Sequence, residues 1–356
     1  MNGALALAGR LHLHPGAPQA LRCERPMVSA TMMRRLAEGR PARLLPDLFG
    51  SVFTLGAPAQ RQTARRAVRA ALGEVDAADR LTADARALAL ATVGEHLQRL
   101  ALDLPGAGDP GWLRDAPLRA NLDVLADWLG RSLFGRPVAA WAADWRADGG
   151  DMLRAWAAAH AHPLARALSA LAASACRLVW PCRALDPRDG PPALVAVLAA
   201  SLREDADFAE HPTWQQQPAE TGPWTCQGRT GVPVHSAWDR LGARLGEVAA
   251  LAAGVLPVVG ALPLGPREGI AWSEMSRGLL VHWVRLDRDA RDAGNTGNAD
   301  DARIEACRVL APTEWNFHAD GAFAAWLRDA APGRADTRLA ALALDPCVEV
   351  EVTGNA

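Results

Sequence analysis

Three stretches near the C-terminus hold the side chains best placed to do chemistry. Glu274, Arg277, Gly278, His282 and Trp283 follow an E-x-x-R-G-x-x-x-H-W pattern. Arg303, Cys307, Pro312, Thr313, Trp315 and Asn316 make up the second, and Asp345, Pro346 and Cys347 the third. A thiol is a soft-metal ligand, a guanidinium a forked donor, and a threonine hydroxyl both donor and acceptor. Taken one at a time, each has a plainer explanation: Arg277-Gly278 as a turn, Thr313 to Trp315 as packing, and Cys347 as a buried thiol.

Other candidates are weaker. His160 and His162, two apart on a predicted helix, point to different faces and read as surface histidines. Cys176 and Cys182 are six apart, which suits neither a zinc knuckle nor a redox pair. Glu204, Asp205 and Asp207 read as a solvated helix end. No G-x-S-x-G, P-loop, dinucleotide fingerprint or H-E-x-x-H occurs, so no motif argues for an enzyme.

The elements that must position these residues are mostly helical. Alternation of Leu11 and Leu13 with His12 and His14 predicts a strand within 4–14. Helices are predicted over 28–38 with Ser29 as cap, over 59–73 ending at Gly73, and over 82–104 from Thr82 to Pro105-Gly106. A Gly/Pro loop fills 105–117. Further helices follow at 118–133, 137–146, 151–175, 191–208 and 237–255. Residues 209–236, rich in Pro, Gly, Gln and Trp, read as a loop or short hairpin, with Trp214 and Trp224 as a candidate interaction surface or as packing. Two strands are expected in 268–286, with Leu279, Val281 and Trp283 alternating, and one in 303–310. A helix is expected over 319–331, and the apolar tail 339–352 ends in a β-branched run. Residues 287–301 read as a polar, Gly/Asn-rich surface loop. The fold class is mainly α with small β elements (α+β), as a single domain over 1–356.

Composition narrows the function classes. The chain has 356 residues and a net charge of −2, which gives no reason to invoke nucleic acid or an anionic membrane. There is no Lys and no Tyr, against 13 Trp. The missing types have AT-rich codons, so the bias reads as genomic and an Arg-rich surface carries little meaning. The six cysteines, Cys23, Cys176, Cys182, Cys226, Cys307 and Cys347, form no CxxC pair and read as reduced thiols. No apolar run approaches a membrane span. The expectation is a soluble, cytoplasmic protein.

In their order and spacing the three C-terminal segments resemble the large subunit of nickel–iron hydrogenases. That family carries E-x-x-R-G-x-x-x-H-W, then V-P-[ST]-x-W-N, then a terminal D-P-C-x-x-C-x-x-H. Its N-terminal G-R-x-P and A-L-G flanks match Gly39-Arg40-Pro41 and Ala71-Leu72-Gly73. Between those flanks the two cysteines and the histidine are replaced by Phe53, Gly56 and Gln60. At the C-terminus Cys347 matches, while Val350 and Thr353 replace the second cysteine and the histidine. Four thiolates hold nickel in that family, so the resemblance implies no nickel here and no hydrogenase catalysis. Arg277 matches the arginine above the iron and its cyanides, and Pro312 and Thr313 match the pair lining the cyanide pocket.

The closer resemblance is to the HupK/HoxV-type hydrogenase expression and formation proteins, which look like large subunits that have lost most metal thiolates. It implies a reduced large-subunit fold with a helical bundle core. It also implies a non-enzymatic scaffold for a transient Fe(CN)2(CO) unit, with Cys347 as metal ligand and Arg277, Pro312 and Thr313 around the cyanides. The implied partners are HypC-type iron-carrier chaperones and the hydrogenase large-subunit precursor. The competing expectation is a structural or interaction homologue with a metal-free pocket, as in the quinone-binding subunit of respiratory complex I.

Overall fold

The computed structural model describes residues 9–25, 29–53, 55–185, 191–226, 234–287 and 302–353. The first elements are strands β1 (Arg10–Leu13) and β2 (Leu21–Glu24) and helices α1 (Ala30–Ala37), α2 (Leu45–Val52), α3 (Ala57–Ala71) and α4 (Ala78–Asp103). Helices α5 (Leu122–Leu129), α6 (Val138–Asp148), α7 (Gly150–Ala159), α8 (Pro163–Arg177), α9 (Pro191–Glu204), the single turn α10 (Pro223–Cys226) and α11 (Ala237–Ala252) follow. Strands β3 (Val259–Gly265), β4 (Glu268–Met275), β5 (Gly278–Leu286) and β6 (Ile304–Leu310) come next. Helices α12 (Pro312–Asn316), α13 (Ala322–Ala330) and α14 (Arg334–Ala343) lead to β7 (Glu349–Val352). The fold is α+β, as the residue pattern predicts.

Several boundaries differ from expectation, each for a local reason. Ser29 does cap α1, its hydroxyl accepting from Met32 N. Thr82 is not a helix start: its hydroxyl bonds back to the Ala78 carbonyl, as a residue inside a helix does. The helix expected over 151–175 is two, α7 and α8. His162 caps α8 with its Nδ1 accepting from Leu164 N, and Pro163 takes the first-turn position where its missing N–H costs nothing. His160 and His162 therefore flank a break and do not share a helix. The 209–236 segment carries the buried turn α10, and Trp224 is buried against the core. Residues 227–233 of that segment, and the polar loop apart from Asp287, lie outside the described residues. β2, α2, β3, α12 and α14 had no counterpart in the sequence pattern.

The four-stranded sheet β3-β4-β5-β6 is antiparallel throughout and buried on both faces. Successive side chains of a strand alternate between faces. Ala271, Met275, Leu280 and Val284 pack toward α1–α3, while Ile270, Trp272, Leu279, Val281 and Trp283 pack toward α9. The alternation of Leu279, Val281 and Trp283 thus marks one of two apolar faces. Gly269 lets α3 approach closely, since a Cβ there would lie 2.4 Å from the Ala71 nitrogen. The polar residues Gln60, Thr63 and Arg66 of α3 are buried against this sheet, where Gln60 Oε1 and His282 Nε2 are 2.7 Å apart.

Helix α11 runs through the helical core, touching α4–α8, α10 and α14. A capping box of Ser236 and Asp239 starts it. Gly242 and Gly246 admit Trp145, whose ring atoms would lie 2.4 Å from a Cβ at either position. Its buried polar residues sit at helical spacing and each meets a partner: Arg240 pairs with Glu220, Arg244 pairs with Asp345, and Glu247 lies at hydrogen-bond distance, 2.6 Å, from the ring of His96. Burying charges is tolerated only where they are paired in this way. The smaller sheet, β2-β1-β7, closes the molecule by joining its N-terminal strands to its C-terminal one, with β1 parallel to β7.

Candidate functional site

Arg277 stands at the tip of the β4–β5 hairpin, whose loop is only Ser276 and Arg277. The hairpin closes on Gly278, at φ +120°, a conformation open essentially to glycine. A Cβ there would sit 2.4 Å from Thr221 Oγ1, which itself accepts from Leu279 N. This explains the Arg-Gly pair of the sequence: the glycine makes the turn and the turn presents the arginine.

Arg277 reaches from that tip to the segment bearing Cys347. Its Nε donates to the Asp345 carbonyl at 2.9 Å and its Nη1 to Glu95 of α4 at 2.5 Å. Its Nη2 lies 3.4 Å from Asp345 Oδ2 but makes no hydrogen bond, although it is buried. Asp345 also meets Arg244 at 3.2 Å and Arg99 at 3.3 Å, and Arg99 donates to the Pro346 carbonyl. Asp345 holds φ +52°, the left-handed region that Asp tolerates better than most residues. Burial alone would push its carboxyl up, but Arg244, Arg277 and Arg99 more than reverse this and hold it well below the usual carboxylate range. Burial opposes the charge of Arg277 too, here by lowering its pKa, and Asp345, Glu95 and Cys347 win, raising it. The turn is therefore ionic at its root.

Cys347 follows this clamp, half-buried between α14 and β7. Its Sγ is 3.1 Å from Thr313 Oγ1, in the first turn of α12, where Pro312 takes the position suited to a residue without an N–H. Arg25 Nη1 approaches Sγ to 3.9 Å, and the same guanidinium pairs with Glu314. The thiol opens on a cavity of about 1030 Å³. Leu171, Leu339, Leu342, Val348 and Val350 give that cavity apolar walls, with Arg99 and Asp103 at its edge.

Of the sequence-predicted residues, the structure brings Cys347 against Thr313 and ties Arg277 to the same turn through Asp345. Pro312 acts one step back, by starting the helix that offers Thr313. The positions without metal donors also become clear. Gly56 begins α3 at φ +72°, and a Cβ on it would lie 2.4 Å from Met275 Cε. Val350 lines the Cys347 cavity, while Phe53 packs against the core between the sheet and α1–α3. Thr353 bonds to the ring of His14 at the exposed end of β7. Among the described residues no three His, Cys, Asp or Glu side chains are gathered to hold a metal. Arg25, Arg99 and Arg244 had no signal in sequence, because arginine is the sole strong base of the chain, and nothing in the helix pattern set Glu95 apart.

No protein-family profile matches the chain. Curated relatives do. It is 36% identical to the hydrogenase expression/formation protein HoxV of Cupriavidus necator, covering 99% of this chain and 97% of that one. It is 33% identical to the hydrogenase expression/formation protein HupK of Rhizobium leguminosarum bv. viciae, over 97% and 96%. The chain belongs to the HoxV/HupK family of hydrogenase expression/formation proteins. Solved structures agree on the fold. The reduced Ni-Fe-Se hydrogenase of D. vulgaris Hildenborough aligns over 92% of each chain with a TM-score of 0.54 at 11% identity. An NAD+-reducing [NiFe]-hydrogenase aligns with a TM-score of 0.50 at 14% identity. This HoxV/HupK-type chain thus has a large-subunit-like fold, and among its described residues no helix is long and apolar enough to cross a membrane.

Proposed function

We propose that this protein is a non-catalytic assembly scaffold that receives the iron–dicyanide–carbonyl unit of a nickel–iron hydrogenase and passes it to the large-subunit precursor. The observation that carries this reading is Cys347 at the wall of an apolar cavity, beside a hydroxyl and next to the Arg277 clamp, whose buried Nη2 makes no hydrogen bond. A thiolate suits a soft iron centre. Arg277 Nη2 has no hydrogen-bond partner, and a buried donor in that state calls for an acceptor. A cyanide nitrogen is one, and the Thr313 hydroxyl can donate to another. The apolar walls suit carbon monoxide. With glycine at position 56 and valine at 350, the four-thiolate set of a nickel site is missing, so nickel is not part of the proposed cargo.

The partners in this reading are HypC-type iron-carrier chaperones as donors and the large-subunit precursor as acceptor, all in the cytoplasm. The family name supports a role in hydrogenase formation. The test is infrared spectroscopy on protein purified anaerobically from cells expressing its maturation machinery. Cyanide and carbonyl stretches are expected in the wild type and absent in Cys347→Ala. Their absence from the wild type, or their persistence in the variant, overturns the role.

A further inference from the structure

Cys23 takes no part in the site as described so far. It lies on β2, paired with Leu11 of β1, and Leu11 is paired in turn with Val350 of β7. Residues directly opposite on neighbouring strands project to the same face. Leu11 is fully buried while its neighbour His12 is not, so this row faces inward. Cys23 and Val350 therefore point to the interior side together, two inter-strand steps of about 4.8 Å apart. Val350 lines the cavity of Cys347 and stands where the resembled large-subunit motif has its second C-terminal cysteine.

Two further observations link Cys23 to Cys347. Arg25 is two residues on, just past the end of β2, and its Nη1 is 3.9 Å from Cys347 Sγ. Arg25 also lines a second cavity, of about 230 Å³, with Cys23 and Glu314, so one guanidinium touches the surroundings of both thiols. The Cys23 thiol is pushed up to about 11, chiefly by burial, with Arg25 opposing and the charge of Cys347 adding to the rise. Both sulfurs are free and half-buried, within reach of a small reagent.

We propose that Cys23 is the second thiol of the Cys347 site, so that a thiophilic centre is held between two sulfurs, with Arg25 beside them offsetting the negative charge. The identity of that centre as the iron unit rests on the function proposed above; the pairing of the thiols does not. Iron with two cyanides and one carbonyl has three of six octahedral positions filled, leaving room for two sulfurs.

The test uses the full-length protein, reduced and anaerobic, with phenylarsine oxide as probe. Arsenic in this reagent condenses with two thiols, forming two As–S bonds and releasing one water, with no change in oxidation state. The adduct survives excess monothiol and is released by a dithiol. One equivalent per chain is expected in the wild type and in Cys176→Ala and Cys182→Ala, and none in Cys23→Ala, Cys23→Ser or Cys347→Ala, with circular dichroism confirming that each variant folds. Binding that is absent from the wild type, or unchanged in the Cys23 variants, overturns the pairing. In the infrared arm, cyanide bands at wild-type position and intensity in Cys23→Ser overturn Cys23 as a ligand while leaving the Cys347 scaffold intact. Shifted or lost bands support it. A wild type without bands removes the iron reading, and the arsenical result then decides the dithiol pair by itself.

Discussion

Arg277 holds Asp345 at two points, its Nε on the backbone carbonyl at 2.9 Å and its Nη2 3.4 Å from the carboxylate. One residue from each of two distant segments thereby fixes the turn that presents Cys347. In the resembled family the arginine is described by what it offers the iron. Here its donors face protein, Asp345 and Glu95, with Nη2 near the carboxylate as an ion pair that makes no hydrogen bond. Arg277 is in this sense first a positioning residue for the thiol.

Asp345→Asn isolates the charge in this arrangement. Asn tolerates the left-handed backbone as Asp does, so the turn itself is not strained. The change leaves Arg244 and Arg277 buried without their shared counter-charge. Removing one partner of a buried pair costs about 3–5 kcal/mol. The urea midpoint is expected to fall accordingly. A midpoint within experimental error of the wild type would mean the three arginines do not depend on this carboxylate.

Restoring a cysteine to the N-terminal motif is expected to fail as a repair. Gly56→Cys places a side chain at φ +72° and against Met275 Cε. The left-handed backbone alone costs roughly 1–2 kcal/mol, and the contact adds to it. Gly56→Cys combined with Met275→Ala should be less destabilised than the sum of the single changes. Thermal unfolding of the four proteins gives the coupling; strict additivity would show that Met275 does not occupy the space.

Two glycines with positive φ separate strain from crowding. Gly278→Ala meets Thr221 Oγ1 at 2.4 Å and the Gly222 nitrogen at 2.6 Å, whereas Gly254→Ala, at φ +91°, has nothing within 4 Å. Backbone strain of this kind costs on the order of 1–3 kcal/mol. Gly254→Ala should show only that cost. Gly278→Ala should exceed it clearly and disturb the Arg277 hairpin, read as a larger loss of unfolding free energy. Equal losses would refute the packing account.

Much of this was legible in sequence. The Arg277-Gly278 spacing marked a turn, the alternation at 279–283 marked a strand, and the Asp345-Pro346-Cys347 segment marked the thiol. What stayed hidden was pairing across distance. Gln60, Thr63 and Arg66 look like the solvent side of an amphipathic helix, yet they are buried because the sheet offers Ser273 and His282 as partners. Arg240, Arg244 and Glu247 likewise break an apolar helix pattern, which Glu220, Asp345 and His96 help make tolerable. The helix α14 was masked by an apolar tail read as one piece. Cys23 looked like one unremarkable thiol among six, because only the β2-β1-β7 register places it in a row with Val350.

His282 gives the fold a dependence on pH. Burial, and after it Arg66, lowers its pKa to about 3, against about 6.5 in an unfolded chain. Between those values the unfolded chain holds a proton that the native state refuses. Stability is therefore insensitive to this residue above pH 6.5 and falls as the pH drops toward 3, by at most about 1.4 kcal/mol per pH unit. His96, also held near 3 by burial and Arg244, adds a second contribution of the same sign. His282→Gln loses the bond to Gln60 and is expected to be about 1 kcal/mol less stable at pH 7.5. Its stability should then decline less steeply with acid, so that the two curves converge between pH 6 and about 4. Urea titrations across that range measure both slopes; parallel curves would show that His282 is already protonated in the native protein.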